Sequence, residues 1–264
     1  MTDKYAAAKK ALLKISESDP GYGYRKTKPE LHDEYGITIG YHVTRKLMSQ
    51  LELIVARKRL KPKPPIILKA VTRLGDKANL IRQLADGGHR FQVGEAMVTD
   101  FTEIIYDHGQ KTAQLAPIIG YVEKVCWGWS LADTGTAAAA LKAWAKAKKM
   151  RHRWGLKNAG VIMHHDLGAT YTSWSWLRRL LSRDKVRVSW ALRGARDNPE
   201  MESFNSHFKQ ENRSLFWECE SFEELLAVVA DRIRYYNYHR RHAALKNQRP
   251  IGYIKNKGKP VKKK

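Results

Sequence analysis

Cysteine is nearly absent from this chain. Its two thiols, Cys126 and Cys219, lie far apart and neither belongs to a Cys-x-x-Cys pair. That usage excludes a disulfide scaffold and a cysteine-built zinc site, and it fits a reducing compartment with two buried thiols. Long apolar runs are missing as well. No stretch approaches the roughly 20 apolar residues of a membrane-spanning helix, and no secretory signal peptide is visible, so the cytoplasm is the expected address. Acidic residues are scarce: 26 Asp and Glu stand against 49 Lys and Arg, a formal net charge of +23 with a pI near 10.0. Such an imbalance points to a polyanionic partner, nucleic acid being the usual one and ribosomes or anionic membranes the lesser options. What remains is sufficient for a core. With 43% hydrophobic residues over 264 positions, the chain can build one medium domain and a small one.

Three of the few acids sit in settings that are costly for a carboxylate. Asp100 lies within Ala96 to Ile105, a run rich in β-branched and aromatic residues that reads as a central strand. A carboxylate there needs positive compensation. Asp166 follows the apolar run Gly160-Val161-Ile162-Met163 and precedes Gly168, which places it at the carboxyl end of a second strand, where open α/β sheets hold ligands. Glu202 falls in a helix that Asn198 can cap and Pro199 can open. At about 100° per residue, Met201, Phe204 and Phe208 make one apolar stripe, and Glu202 and Lys209 share the neighbouring face with Asn205 and Ser206. Glu202 is thus expected to border the core, with Lys209 about two turns further along. Three carboxylates brought together would repel, and one would take up a proton unless a cation intervened. Two Mg²⁺ or Mn²⁺ ions about 4 Å apart answer that problem, because hard cations prefer oxygen and such a pair can activate an attacking oxygen and stabilise a leaving one on a phosphodiester. Spacing alone does not single these three out from the other acids.

The flanking residues do. Val98-Thr99-Asp100-Phe101-Thr102, the His-x-Asp-x-Gly-x-x-Tyr-Thr-Ser pattern at 164–173 and Asp-Asn-x-x-x-Glu-Ser-Phe at 197–204, with Lys209 and Glu211, resemble the DDE transposases of the IS-three insertion-sequence family, relatives of retroviral integrases. The likeness runs on to Tyr236-Asn237-x-x-Arg240-x-His242-x-x-Leu245 and Pro250, and back to Tyr22-Gly23-Tyr24-Arg25 and Leu47-Met48. The resemblance implies a metal-dependent polynucleotidyl transferase with 35 residues between its second Asp and its Glu. Its reaction would be 3′-end hydrolysis and strand transfer of a mobile element. Asp100, Asp166 and Glu202 would be both catalytic residues and ligands of two Mg²⁺ or Mn²⁺ ions. It further implies double-stranded DNA, transposon ends and target, as partner, a homo-oligomer when assembled on DNA, and a location beside the bacterial nucleoid. A fusion with an upstream helical reading frame is a further possibility it carries. Lys209, Arg45, Lys46, Arg25, Asn205 and Arg240 are the expected DNA contacts, with Lys209 open to being a solvated charge and Arg240 to complementing a helix dipole.

In chain order, residues 1–56 read as a helical, helix-turn-helix-like region. A first helix runs from a cap at Thr2 or Asp3 through Ile15. Thr27-x-x-Glu30 has the form of a capping box opening a second helix that stops at Gly36. Thr38 is placed to cap a third carrying Leu47 and Met48. The last helix either enters a DNA groove or presents an ordinary solvated basic face. Residues 57–94 read as a basic, Pro-rich linker with a helix around Lys77–Leu84. Residues 95–250 form the catalytic core: three antiparallel strands, helix, strand, helix, strand, helix. That is the order of an RNase H-like α/β fold with a mixed five-stranded sheet flanked by helices. Residues 251–264 complete the chain as a Lys-rich tail. The tryptophans are open to core packing or base stacking.

The sequence departs from the family at Gly120, where relatives often carry Asp, in the loop after Asp166, where Leu167, Ala169 and Thr170 replace more usual residues, and at Arg241. It also lacks the His-His-Cys-Cys module of retroviral integrases. A non-catalytic DNA-end-binding derivative and a simple RNase H-type nuclease are the rival readings.

Overall fold

The computed structural model describes residues 3–54 and 66–257, and the chain divides into two compact units, Met1–Lys63 and Pro64–Lys264. The first unit contains α1 (Ala6–Ser18), α2 (Tyr24–Asp33) and α3 (Tyr41–Gln50). Its core holds Ala8, Leu12, Ile15, Leu31, Leu47 and Met48, the residues picked out by helical periodicity. Gly36 ends the second helical stretch with φ +64°, a backbone state open to glycine without a Cβ clash. The helix starts differ from expectation. α2 begins at Tyr24, a turn before Thr27, so no capping box forms. Thr27 lies inside the helix, buried, and its hydroxyl donates to the Gly23 carbonyl one turn back. Thr44 does the same to Gly40, and Gly40, not Thr38, occupies the cap position of α3. In both cases Gly at the cap leaves the threonine hydroxyl a carbonyl to bond, and burial of the threonine methyl favours that arrangement.

The second unit is built on one sheet. β1 (Ala96–Thr99) and β2 (Thr102–Tyr106) both pair antiparallel with β3 (Lys111–Gly120) in a single register, Met97 opposite Gly120, Thr99 opposite Ile118 and Thr102 opposite Leu115. They are one strand interrupted at Asp100-Phe101. Continuing the register puts Pro117, which has no N–H to offer, across from Asp100, and Asp100 Oδ1 accepts the Phe101 amide at 2.8 Å. β4 (Cys126–Ala132) pairs antiparallel with β3, while β5 (Ile162–His165) lies parallel to β1 and β6 (Arg187–Trp190) parallel to β5. An antiparallel meander followed by two parallel strands, with helices on both faces, is the RNase H-like arrangement.

Each face buries its own core. On one, α6 (Ala137–Arg153) packs so closely that a Cβ at Gly128 would lie 2.3 Å from the Ala143 carbonyl oxygen, which explains why the strand carries glycine there and the helix is alanine-rich. Trp127, Trp144, Trp176 and Tyr171 fill this side together with α7 (Trp174–Leu177). On the other, α8 (Pro199–Trp217) and α9 (Phe222–Tyr238) bury Met201, Phe204, Phe208 and Tyr236 against Val98 and Ile104. Most tryptophans therefore serve packing; Trp174, 76% exposed, is the clear exception. β4 is an edge strand, and Asn237 of α9 closes part of that edge: its Oδ1 accepts the Cys126 N–H at 2.8 Å and its amide donates to the Cys126 carbonyl at 2.9 Å.

The borders of the core lie further out than the sequence implied. Of the expected linker, residues 57–65 fall outside the described residues, but 66–94 contain α4 (Ile66–Leu74) and α5 (Leu80–Asp86). Val71 and Ile81 join the two cores, and the Ile81 amide donates to Ser189 Oγ. Ile67, Leu68 and Val71 give this stretch an apolar stripe whose burial outweighs its linker character. Likewise 251–257 belong to α10 (Pro250–Lys257), anchored by Ile251 and Ile254; residues 258–264 of the expected tail lie outside the described residues. Among the described residues no helix is long and apolar enough to cross a membrane.

Candidate active site

β1 and β5 run parallel with Val98 beside His164, so two residues on, Asp100 and Asp166 leave the sheet next to one another. Asp100 is half-buried and its carboxyl is pushed up to about 6. Burial is the main cause and the charge of Asp166 the second; the Phe101 amide opposes them, and the charge of Glu202 adds a further upward push. The three acids therefore share one electrostatic neighbourhood. Asp166 is oriented by a tight turn in which its Oδ1 accepts the Gly168 amide at 2.9 Å. A Cβ on Gly168 would stand 3.0 Å from that same oxygen, so glycine two residues on keeps the carboxylate uncrowded.

Beneath the pair lies Tyr171, 2% exposed, its hydroxyl 3.3 Å from Thr99 Oγ1. Burial, together with the charges of Asp100 and Asp166, raises that phenol well above its usual range, so it stays a neutral floor. The His165 ring stacks on Tyr171 at 4.6 Å. Trp176 Nε1–H donates to His165 Nε2 at 3.1 Å, which leaves Nδ1 to carry the hydrogen donated to the Asp166 carbonyl at 2.9 Å. Burial lowers this imidazole to about 3. His165 is thus a neutral buried brace for the backbone of Asp166, and both its nitrogens are occupied. His164 is braced in the same way: its Nδ1 faces Ser189 Oγ, and Nε2 donates to the Asp197 carbonyl, both at 2.8 Å. That bond ties β5 to the entry of α8, so His164 positions the helix that carries Glu202.

Asp197 organises the entry loop. Its carboxylate accepts the Leu192 and Arg193 amides and the Arg193 guanidinium, which with those backbone bonds holds it below the usual carboxylate range. Asn198 sits at the cap position without a side-chain cap bond, contrary to expectation, and its buried Oδ1 has no partner among the described residues. Glu202 also departs from its expected place. It is exposed, not bordering the core, because the stripe of Met201, Phe204 and Phe208 turns it outward to a groove of about 550 Å³ between β2 and α8. Asn205 and Lys209 line this groove with it, as do Glu103, Arg213 and Trp217. Among the described residues no three His, Cys, Asp or Glu side chains are grouped closely enough to hold a metal ion. The carboxylates share a field without forming a closed ligand set.

The expected DNA contacts divide. Lys209 and Asn205 reach the groove beside Glu202; Asn205 is buried to 9% exposure and its Oδ1 lacks a partner among the described residues. Arg240 instead donates to both oxygens of Glu211, clamping the end of α9 to α8. In the first unit Arg25 and Arg45 lie over the Tyr24 ring at 5.8 and 5.9 Å, and with Lys46 they are exposed. Sequence reasoning missed Arg213, although 202, 205, 209 and 213 follow one helical face. It also missed the bracing roles of His164 and Asn237, which depend on partners 33 and 111 residues away.

Known proteins share these features. Residues 191–250 match the integrase core domain family and residues 5–61 an HTH-like domain family. The chain is 28% identical over 253 residues to the putative transposase InsK for insertion sequence element IS150 of Escherichia coli strain K12, covering 95% of this chain and 84% of that protein. It is 24% identical over 258 residues to the probable transposase for insertion sequence element IS1353 of Shigella flexneri, of which it spans about half (47%). Among solved structures, the simian T-cell lymphotropic virus intasome, determined in complex with PP2A regulatory subunit B56 gamma, aligns with 96% of this chain and 76% of that chain at a TM-score of 0.51 and 11% identity.

Proposed function

We propose that this chain, which belongs to the DDE transposases of the IS-three family, is a metal-dependent polynucleotidyl transferase that hydrolyses the 3′ end of a mobile element and joins the freed 3′-hydroxyl to a second phosphodiester. The observation that carries the reading is the Asp100–Asp166 pair, set side by side at the ends of two parallel strands, with Asp100 pushed up by burial and by the charge of Asp166, beside a groove lined by Glu202 and Lys209.

The donor set suits a hard divalent cation. Its three members are carboxylates, the two histidines nearby have both nitrogens bonded within the protein, and Asp100 carries unrelieved negative crowding. Asp100 and Asp166 would hold the ions, and Glu202 would complete the set from α8. When bound, two Mg²⁺ or Mn²⁺ ions supply stabilisation of the attacking and leaving oxygens of an in-line displacement. The chain's own groups do the rest. Lys209 neutralises a phosphate in the groove, Asn205 offers an amide to the same strand, and Tyr171 with His165 keeps the Asp166 loop from collapsing onto Asp100. Arg25, Arg45 and Lys46 of the first unit contact duplex DNA of the element end, and two copies of the chain hold two ends together.

The test is incubation with labelled element-end DNA and Mg²⁺ or Mn²⁺, comparing the wild type with Glu202→Gln. Joined products should vanish in the variant; equal products from both would remove Glu202 from the site. The open carboxylate set favours one second reading, a DNA-end-binding protein without chemistry. Under that reading Asp100→Asn would leave its biological effect intact.

A further inference from the structure

A second basic surface lies away from the Glu202 groove and shares no lining residue with it. Along the outer edge of β4, between α6 and α9, runs a groove of about 370 Å³ lined by Lys146, Lys149, Arg153, Arg234 and Trp129. A second hollow of about 710 Å³ continues from it, sharing Arg234 and Tyr238 and adding Arg249 and Lys255. All six cations are exposed. Neither hollow is lined by any Asp or Glu, and among the described residues none of the six pairs with a carboxylate.

We propose that this track along β4 binds the sugar-phosphate backbone of a second DNA segment, separate from the strand held at the candidate active site. Lys146, Lys149 and Arg153 recur at helical spacing on one side of α6. Lys146 and Arg153, seven residues apart, span about 10 Å, close to the axial rise of three nucleotides at about 3.4 Å each. Lys146 Nζ stands 4.0 Å over the Trp129 ring, which fixes the ammonium at the groove's floor. Although Lys146 is exposed overall, its ammonium is held below its usual range, first by desolvation and then by the charge of Lys142, a shift that a bound anion opposes. The edge strand itself is unsuited to adding a peptide strand at this point, because Asn237 already occupies the Cys126 amide and carbonyl. Backbone recognition without base readout follows from the lining, which consists of point charges and an aromatic face rather than a ridge able to enter a groove of the duplex.

The inference rests on the proposed DNA-acting function only for the identity of the polyanion. Its test is the full chain carrying Lys146→Gln, Lys149→Gln, Arg153→Gln and Arg234→Gln together, titrated with a long duplex between roughly 50 and 200 mM salt. The slope of log affinity against log salt should fall by about 3.6, roughly 0.9 for each of the four phosphates no longer neutralised. Affinity at the upper salt value should drop tenfold or more, while thermal midpoint and metal-dependent cutting of a short element-end duplex stay at wild-type values. An unchanged slope overturns the proposal. So does disappearance of self-association with the slope intact, which would make the track a protein interface. If the wild type cuts no end DNA, the catalytic reading fails alone, because the salt slope still reports on the track.

Discussion

A carboxylate sits in poor solvent at each end of β1, Glu123 of the β3–β4 turn at one and Asp100 at the other, and the chain treats them in opposite ways. At the amino end, Glu123 is fully buried; its Oε1 accepts the Trp127 indole N–H at 2.6 Å and its Oε2 the Gly94 amide at 3.2 Å. Arg151, also fully buried, donates to the Gly94 and Lys157 carbonyls and to Asn158, and its charge opposes the upward push that burial gives Glu123. Gly120 is glycine because a Cβ there would lie 2.0 Å from Glu123 Oε1. At the carboxyl end, Asp100 has one backbone donor and two like charges. The first end is held by hydrogen bonds from within the chain. The second lacks its compensating charge within the chain, which is what a site for an external cation looks like.

If the contrast is real, single changes at the two ends should have opposite signs. The largest effect is on chemistry. Asp166→Asn or Asp100→Asn should lower metal-dependent end cleavage by about 10³-fold or more, since a bound metal supplies several kcal/mol of charge stabilisation. Single-turnover rates on pre-cut and uncut ends measure it, and a decrease below tenfold would place the metal elsewhere. Next comes stability at the hydrogen-bonded end. Arg151→Ala removes a buried donor from the Gly94 and Lys157 carbonyls and from Asn158 and should cost about 3 kcal/mol, or roughly 6–12 °C in thermal midpoint. Asp100→Asn should instead stabilise the metal-free protein by about 1 kcal/mol, a value already discounted for the solvent-facing side of a half-exposed group.

The third effect is pH-dependent. Because the folded-state pKa of Asp100 is raised to about 6, the folded state holds that proton more tightly than the unfolded one. Its contribution to stability falls as pH rises from about 4 through 6 and stays unfavourable above that. Mg²⁺ or Mn²⁺ should accordingly raise the thermal midpoint at pH 8 and have little effect at pH 5, where protonation competes with the ion. A metal-induced shift equal at both pH values would break the link between crowding and cation. The smallest effect is at the groove. Lys209→Gln should weaken binding of a short end duplex several-fold and reduce the salt slope by about one, with no change in thermal midpoint.

Much of this fold is legible in the sequence. Ala96 to Ile105 announces a strand through Asp100 and Gly160 to Met163 one leading to Asp166; the second forms as Ile162–His165, while the first is broken at Asp100-Phe101 into β1 and β2. The stripe of Met201, Phe204 and Phe208 gives the buried face of α8 correctly. Yet the same stripe misleads for Glu202, because a helical wheel gives angles between residues but not how far the covering sheet reaches around them. The stretch 66–94 is misleading for a related reason. Lys and Pro dominate the residues before it, and the few apolar residues that anchor α4 and α5 gain their burial from strands more than 20 positions away in sequence.

What the sequence determined by itself was whatever is indifferent to tertiary context: alternation and periodicity, the glycines beside tight turns, and the excess of cations. These are local properties, set by backbone sterics and by side chains within a few positions of one another. Only the tertiary structure decided which charges were answered. Glu123 found the Trp127 indole and the Gly94 amide, Arg240 found Glu211 and Asn237 found the β4 edge, whereas Asp100 met Asp166 and Glu202. Electrostatic and hydrogen-bond energies depend on distance in space and on burial, and neither is a property of position along the chain.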